Sequence, residues 1–155
     1  MTDLSDLLTP GAVISSLAAS NKKTLFQQVG AVAARAYGLD AKLVADRLSD
    51  REKLGSTGFG QAVAIPHGKL EELRHVVGIF VQLDKPVDFT AVDELPVDLV
   101  FVLLSPVSAG AEHLKALARV SRRLRDRGFA AKLRGAGSPD ALYALLTGVE
   151  ARDAA

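Results

Sequence analysis

The sequence predicts an α/β fold: a single-domain sandwich in which a central mixed β-sheet is flanked by helices on both faces. Three observations lead there. Two runs, Val76 to Leu83 and Val97 to Leu104, are apolar and rich in β-branched residues, the pattern of strands buried on at least one face. Two stretches of helical periodicity precede these runs and further ones follow, an order that lays helices on a sheet. At 155 residues the chain suits one core, burying about two-thirds of the surface that its unfolded form would expose. With no internal repeat, linker or low-complexity segment, residues 1 to 155 read as one domain. Its core is expected to be ordered from about residue 5 to 148, with a frayed tail over 150 to 155.

Each element has a local reason. Val13 to Leu17 reads as a short first strand. Ser20-Asn21 offers an N-cap to a helix from Lys22 to Tyr37, in which Leu25, Val29, Val32, Ala33 and Ala36 share one face and Gly38 stops the turn. A second helix, Ala41 to Lys53, carries Leu43, Val44, Arg47 and Leu48 at helical spacing and brings Arg47 and Arg51 to its C-terminal end. A glycine-rich loop, Gly55 to Gly60, then runs into a short apolar strand ending at Pro66-His67-Gly68. The strand from Val76 is expected to close at Lys85-Pro86-Val87-Asp88, and that from Val97, the most apolar and so a candidate for the sheet centre, at Ser105-Pro106. A long helix follows with Leu114, Leu117, Ala118, Ser121 and Leu124 on one stripe, and Gly128 and Gly135 divide what comes after it. Ser138-Pro139 opens a last helix with Leu142, Leu145 and Leu146 turned inward, ending near Gly148.

Composition removes several function classes. There is no cysteine, which excludes a disulfide framework and fits a reducing cytoplasm, the location expected here. The acidic start, Met1 to Asp6, does not read as a signal peptide, so none is expected, and no uninterrupted apolar run reaches the ~20 residues of a bilayer span, so no membrane insertion is expected. A formal net charge of +1 exerts no global pull, but its distribution is uneven. Eight basic residues lie between Lys115 and Arg134 against one acid, Asp126, while Asp84, Asp88, Asp93, Glu94 and Asp98 are countered only by Lys85. Such faces can steer a charged partner. The basic tract has little aromatic interleaving, and its apolar stripe is needed for the core, so a nucleic acid is not the expected partner.

The site candidates gather around residues 51 to 68. Pro66 cannot donate to a β-ladder and Gly68 lacks a Cβ, so the chain is expected to leave the sheet there with His67 presented in a tight turn. Such a histidine reads as a nucleophile or acid-base group, or else as a solvated turn residue. A metal-ligand role finds little support, with three histidines and no close His pair. The glycine-rich loop lacks the lysine and following helix of a phosphate-cradling P-loop. It reads either as a connector or as a nest of amides and hydroxyls, Ser56, Thr57 and Gly58, near a phosphorylated side chain. His113, at a helix start where a cation is disfavoured, is either a surface residue or a neutral hydrogen-bond donor, and His75 reads as surface. Arg51 is either a helix-end charge or a bidentate partner for phosphoryl oxygens.

On these residues the chain resembles a known family. The string Asp50-Arg51-Glu52-Lys53-Leu54-Gly55-Ser56-Thr57-Gly58-Phe59-Gly60, then Ala62 to Leu70 with its Pro66-His67-Gly68, is similar to the signature of enzyme IIA of the phosphotransferase system, mannitol/fructose class. The likeness is strongest to its nitrogen-regulatory branch. Val77 to Leu83, Pro96 to Phe101 and His113 to Leu117 continue the match in order along nearly the whole chain. The resemblance implies that His67 is phosphorylated, at Nε2, with His113 stabilising the phosphohistidine, Arg51 stabilising charge, and Ser56, Thr57 and Gly58 on the phosphate side. It implies no metal or organic cofactor, an HPr- or NPr-type phosphocarrier as donor, and regulatory target proteins such as kinases or ion-transport proteins as readers. A sugar-specific enzyme IIA that passes phosphate to a IIB domain is the alternative. Phe59 departs from the family, where an aliphatic residue is usual.

Overall fold

The computed structural model describes residues 4–148; the tail expected to fray over 150 to 155 lies outside them. The elements, in chain order, are a 3-10 turn at Pro10–Ala12, β1 (Val13–Leu17), α1 (Lys22–Tyr37), α2 (Ala41–Lys53), β2 (Gly58–Gly60), β3 (Val63–Ala64), β4 (His67–Leu70), β5 (Val77–Val87), β6 (Val97–Pro106), α3 (Gly110–Arg125), α4 (Arg127–Gly135) and α5 (Pro139–Thr147). The strands form one sheet in the order β1-β5-β6-β3-β2, with β4 also on β6. It is mixed: β1 runs parallel to β5, β5 antiparallel to β6, and β3 and β4 both parallel to β6.

Alternation along the two central strands divides the core in two. Ile79, Val81, Val100, Val102 and Leu104 face α1 and α2, while Phe80, Leu99, Phe101 and Leu103 face the N-terminal segment and the three later helices. Helices therefore cover both faces, as the sequence predicts. Their ends are chemically marked: Asn21, Asp40, Asp126 and Ser138 each accept a hydrogen bond from a first-turn amide. At Gly30 an added Cβ would lie 2.3 Å from the Ala41 carbonyl oxygen, so the absence of a side chain is what lets α1 and α2 pack this closely. Leu4 donates its amide to the Leu146 carbonyl, holding the start of the described chain against α5. No helix among the described residues is long and apolar enough to cross a membrane.

Four expectations need correction. The chain does not leave the sheet at His67. β3 pairs Val63 with Leu99 and Ala64 with Val100, β4 pairs His67 with Leu103, and the same offset continues to Leu70 opposite Pro106. Pro66 interrupts the ladder without shifting its register, because its carbonyl still accepts from the Leu103 amide. Gly68 serves not a turn but a close approach: a Cβ there would sit 3.2 Å from that of Arg47 on α2. β5 does not close before Pro86; it runs to Val87 through an irregularity between Gln82 and Val87 that accommodates the proline. On α3 the buried stripe is His113, Ala116, Val120 and Leu124, while Leu114 is 65% exposed. The break after α3 falls at Asp126, whose backbone is extended and whose side chain caps α4, so Gly128 lies inside a helix.

β2 and β3 are joined by two residues, Gln61 and Ala62, both at positive φ (59° and 65°), as a type I′ hairpin turn requires. Neither is glycine or asparagine. Asp93 accepts from the Gln61 amide and Arg134 donates to the Gln61 carbonyl, which holds the turn in place. Ala62→Gly should relieve the left-handed backbone and raise unfolding free energy by about 0.5 to 1 kcal/mol in urea titration.

Candidate functional site

α2 ends beside β4, and its last turn supplies two side chains to the loop that follows. Arg51 donates from Nη1 to the Gly55 carbonyl at 2.9 Å, closing the helix end on the loop. Glu52, only 8% exposed, accepts from the Thr57 amide and, at 2.6 Å, from the Thr57 hydroxyl, and pairs with Lys22 at 3.2 Å. Ser56 donates its hydroxyl to the Phe89 carbonyl at 2.5 Å and accepts from the Gly58 amide. Of the three loop residues expected on the phosphate side, Ser56 and Thr57 line the same pocket as His67, whereas Gly58 does not, and the hydroxyls of Ser56 and Thr57 and the amide of Gly58 are bonded within the protein itself.

The break at Ile65-Pro66 has a chemical use. Out of the ladder, the Ile65 carbonyl accepts from His67 Nδ1 at 2.9 Å. The ring proton is thereby assigned to Nδ1 and the lone pair to Nε2. Onto that lone pair Arg51 directs its Nε–H, 3.2 Å away. Partial burial lowers the His67 pKa below its ordinary value; the Ile65 hydrogen bond opposes this and the Arg51 charge adds to it. The imidazole is therefore neutral at pH 7 with one aimed nitrogen.

His113 stands behind it, in the first turn of α3 and 7% exposed. The two rings are 5.4 Å apart between centroids and tilted by 53°. Its Nδ1 lies 2.5 Å from the hydroxyl of Ser105, a fully buried residue near the end of β6. With Ser105 as donor, the proton of His113 sits on Nε2. Burial, then the neighbouring His67 and Lys69, lower the His113 pKa, keeping this ring neutral too. Of the candidates, Arg51, His67 and His113 are thus brought together directly, with Ser56 and Thr57 lining the same pocket, Gly58 outside its lining and His75 exposed on the surface.

An open pocket of about 220 Å³ gives access to this group, lined by Arg51, Ser56, Thr57, His67, Ser121 and Arg125 with Phe59, Ile65 and Leu117. Ser105, Ser121 and Arg125 were not legible as site residues. Ser105 is the last polar residue of a buried strand, and the other two reach the pocket only because α3 crosses it. A larger depression of about 540 Å³, between Asp6, His75 and Arg119, contains no comparable pairing of an aimed nucleophile with a cation, and Asp6 already binds the Arg119 guanidinium.

Comparison with known proteins agrees in extent and kind. The family model described as phosphoenolpyruvate-dependent sugar phosphotransferase system, EIIA 2, matches residues 6–149. A nitrogen regulatory protein of Bradyrhizobium diazoefficiens is 48% identical over 143 residues, covering 92% of this chain and 94% of that one. One from Escherichia coli K12 is 40% identical over 95% of this chain and 91% of its own length. Among solved structures, the nitrogen regulatory protein IIA-Ntr of Neisseria meningitidis superposes with a TM-score of 0.85 at 35% identity, covering 92% of this chain and 97% of that one.

Proposed function

Since this chain belongs to the EIIA 2 family of the phosphoenolpyruvate-dependent sugar phosphotransferase system, among its nitrogen regulatory proteins, we propose that His67 accepts a phosphoryl group from an HPr- or NPr-type phosphocarrier. The phosphorylated protein then acts as a regulator whose partners distinguish the two states. The observation carrying this reading is the fixed tautomer of His67, with Nδ1–H on the Ile65 carbonyl and the Nε2 lone pair facing Arg51.

The chemistry follows from that geometry. Nε2 approaches phosphorus in line as the nitrogen–phosphorus bond of the donor lengthens, and negative charge is spread over the three equatorial oxygens. The electron pair of the broken bond leaves with the donor imidazole, and His67 keeps its Nδ1 proton on Ile65. Arg51, displaced from Nε2 by the incoming group, places its guanidinium against the oxygens, while Nε2–H of His113 supplies a neutral donor. Catalysis here is positioning and charge stabilisation, with no group beyond the two proteins required.

The relay supplies the test. Incubation with phosphoenolpyruvate, enzyme I and the carrier is expected to give one acid-labile phosphoryl group, placed on His67 Nε2 by phosphorus–proton NMR. A label on another residue, or no label, overturns the reading. The relatives at 40–48% identity, which are nitrogen regulatory proteins, favour a regulator over a sugar-specific IIA protein; rapid discharge of the label to a IIB domain would reverse that preference.

A pH dependence follows with a definite sign. Protonation of Nε2 removes the nucleophile, and the His67 pKa is depressed, mainly by burial. The transfer rate should therefore hold as pH falls through about 6.5, the ordinary histidine value, and decline only below it. Single-turnover rates between about pH 5 and 8 check this, after correction for the titration of the carrier.

A further inference from the structure

We propose that Arg125 is a second phosphoryl ligand of this site, held on the ring of Phe59 until the phosphoryl group arrives. The inference rests on the reading of His67 as a phosphoryl acceptor and adds a residue that the His67, His113 and Arg51 group lacks. Arg125 closes α3 and lines the same pocket as His67 and Arg51. Its guanidinium carbon lies 5.0 Å from the Phe59 ring centroid, and Phe59 itself lines the pocket.

What distinguishes Arg125 from the other basic residues of α3 and α4 is that it alone among them lines the pocket of His67. Arg119 is bound to Asp6, Arg134 is bidentate on Asp98, and Arg123 is stacked 3.5 Å over Phe129. The acid next to Arg125, Asp126, caps α4 through the Phe129 amide. Among the described residues no carboxylate pairs with Arg125. The ring fixes where this cation waits, since cation–π attraction is weak enough, about 0.5 to 1 kcal/mol at an exposed site, to yield to a dianion. Arg51 is already spent in part on the Gly55 carbonyl, leaving its fork incomplete for three equatorial oxygens. A second guanidinium, from α3 rather than α2, completes the set, and Ser121, one turn back on α3, lines the same pocket. Phe59 is on this reading the shelf of Arg125.

The test uses potassium phosphoramidate, which phosphorylates histidine without a carrier: the nitrogen–phosphorus bond of the reagent breaks, Nε2–P forms and ammonia leaves. The phosphoryl resonance of the isolated phosphoprotein is then titrated by phosphorus NMR. Arg125→Gln should raise the phosphoryl pKa by roughly 0.5 pH unit or more, as loss of a neighbouring cation does, with Arg125→Lys largely restoring it and Phe59→Leu shifting it part of the way. Arg51→Gln serves as the positive control. An unchanged titration in Arg125→Gln, with only the KM for the carrier raised, would place Arg125 in partner docking and overturn the proposal. Failure of phosphoramidate to label His67 would also overturn it. Normal phosphoramidate labelling with no uptake from the carrier would instead count against the relay role alone and leave the Arg125 result interpretable.

Discussion

His67→Gln is expected to bring phosphoryl uptake from the carrier down by more than about 10⁴-fold, in effect to background, without unfolding the protein. The loss is complete in kind because no neighbouring group can substitute. His113 Nδ1 is engaged with Ser105 and the ring is buried, so it lies behind the pocket rather than at its mouth. The fold should survive because the hydrogen-bonding contacts of the His67 ring are the Ile65 carbonyl and Arg51, and a glutamine amide can donate to the same carbonyl. Label transferred from radioactive phosphoenolpyruvate and a thermal melt of the same preparation measure both halves. Residual label in His67→Gln that disappears when His113→Gln is added would move the acceptor to His113.

The second large effect is structural, at a residue that does not line the pocket. Gln82 lies within β5, nearly buried, where a hydrophobic residue would be expected. Its amide nitrogen donates to the Leu133 and Ala136 carbonyls at the end of α4, at 2.9 and 2.8 Å, and its oxygen accepts from the Ser16 amide at 3.2 Å. Ser16 has a φ of 50° where the β1 register slips against β5, so its amide is turned away from the ladder and finds a side chain instead. One residue thus satisfies a bulged strand and a helix end together. Gln82→Leu keeps the volume but strands the Ser16 amide and the α4 carbonyls. The expected cost is about 3 to 4 kcal/mol of unfolding free energy, read from the urea midpoint at unchanged slope. A loss below about 1 kcal/mol would mean that water replaces these bonds.

These two residues mark what the sequence made legible. Helix positions and both central strands followed from periodicity and caps, because those signals are local: Asn21, Asp40 and Ser138 sit where a first-turn amide needs them. His67, Arg51 and His113 were legible as candidates from their flanking residues, and the family resemblance joined them. Gln82 and Ser105 were not, since each is a single polar residue in an apolar run whose partners lie on other elements. Reading Pro66 as a strand terminator failed for a related reason. Whether a proline ends a strand depends on whether the neighbouring strand continues to bond past it, and β6 does. Leu114 was misassigned because the stripe of α3 is set by a buried histidine, which a hydrophobic count leaves out.

The unbroken register across Pro66 bears on how a signal at this site can be read. His67 is the first residue of a strand bonded to β6, which lies in the centre of the sheet, rather than part of a mobile loop. Backbone anchored in this way has little room to shift when a side chain is modified, and opening it would mean disturbing the most buried strand of the molecule. On the proposed function, a message written on His67 would therefore travel outward as a local change of potential and hydration, not as a rearranged shape. A partner that tells the two forms apart must place its own charges within roughly a Debye length of the pocket, about 8 Å in physiological salt, and its discrimination should weaken as ionic strength rises.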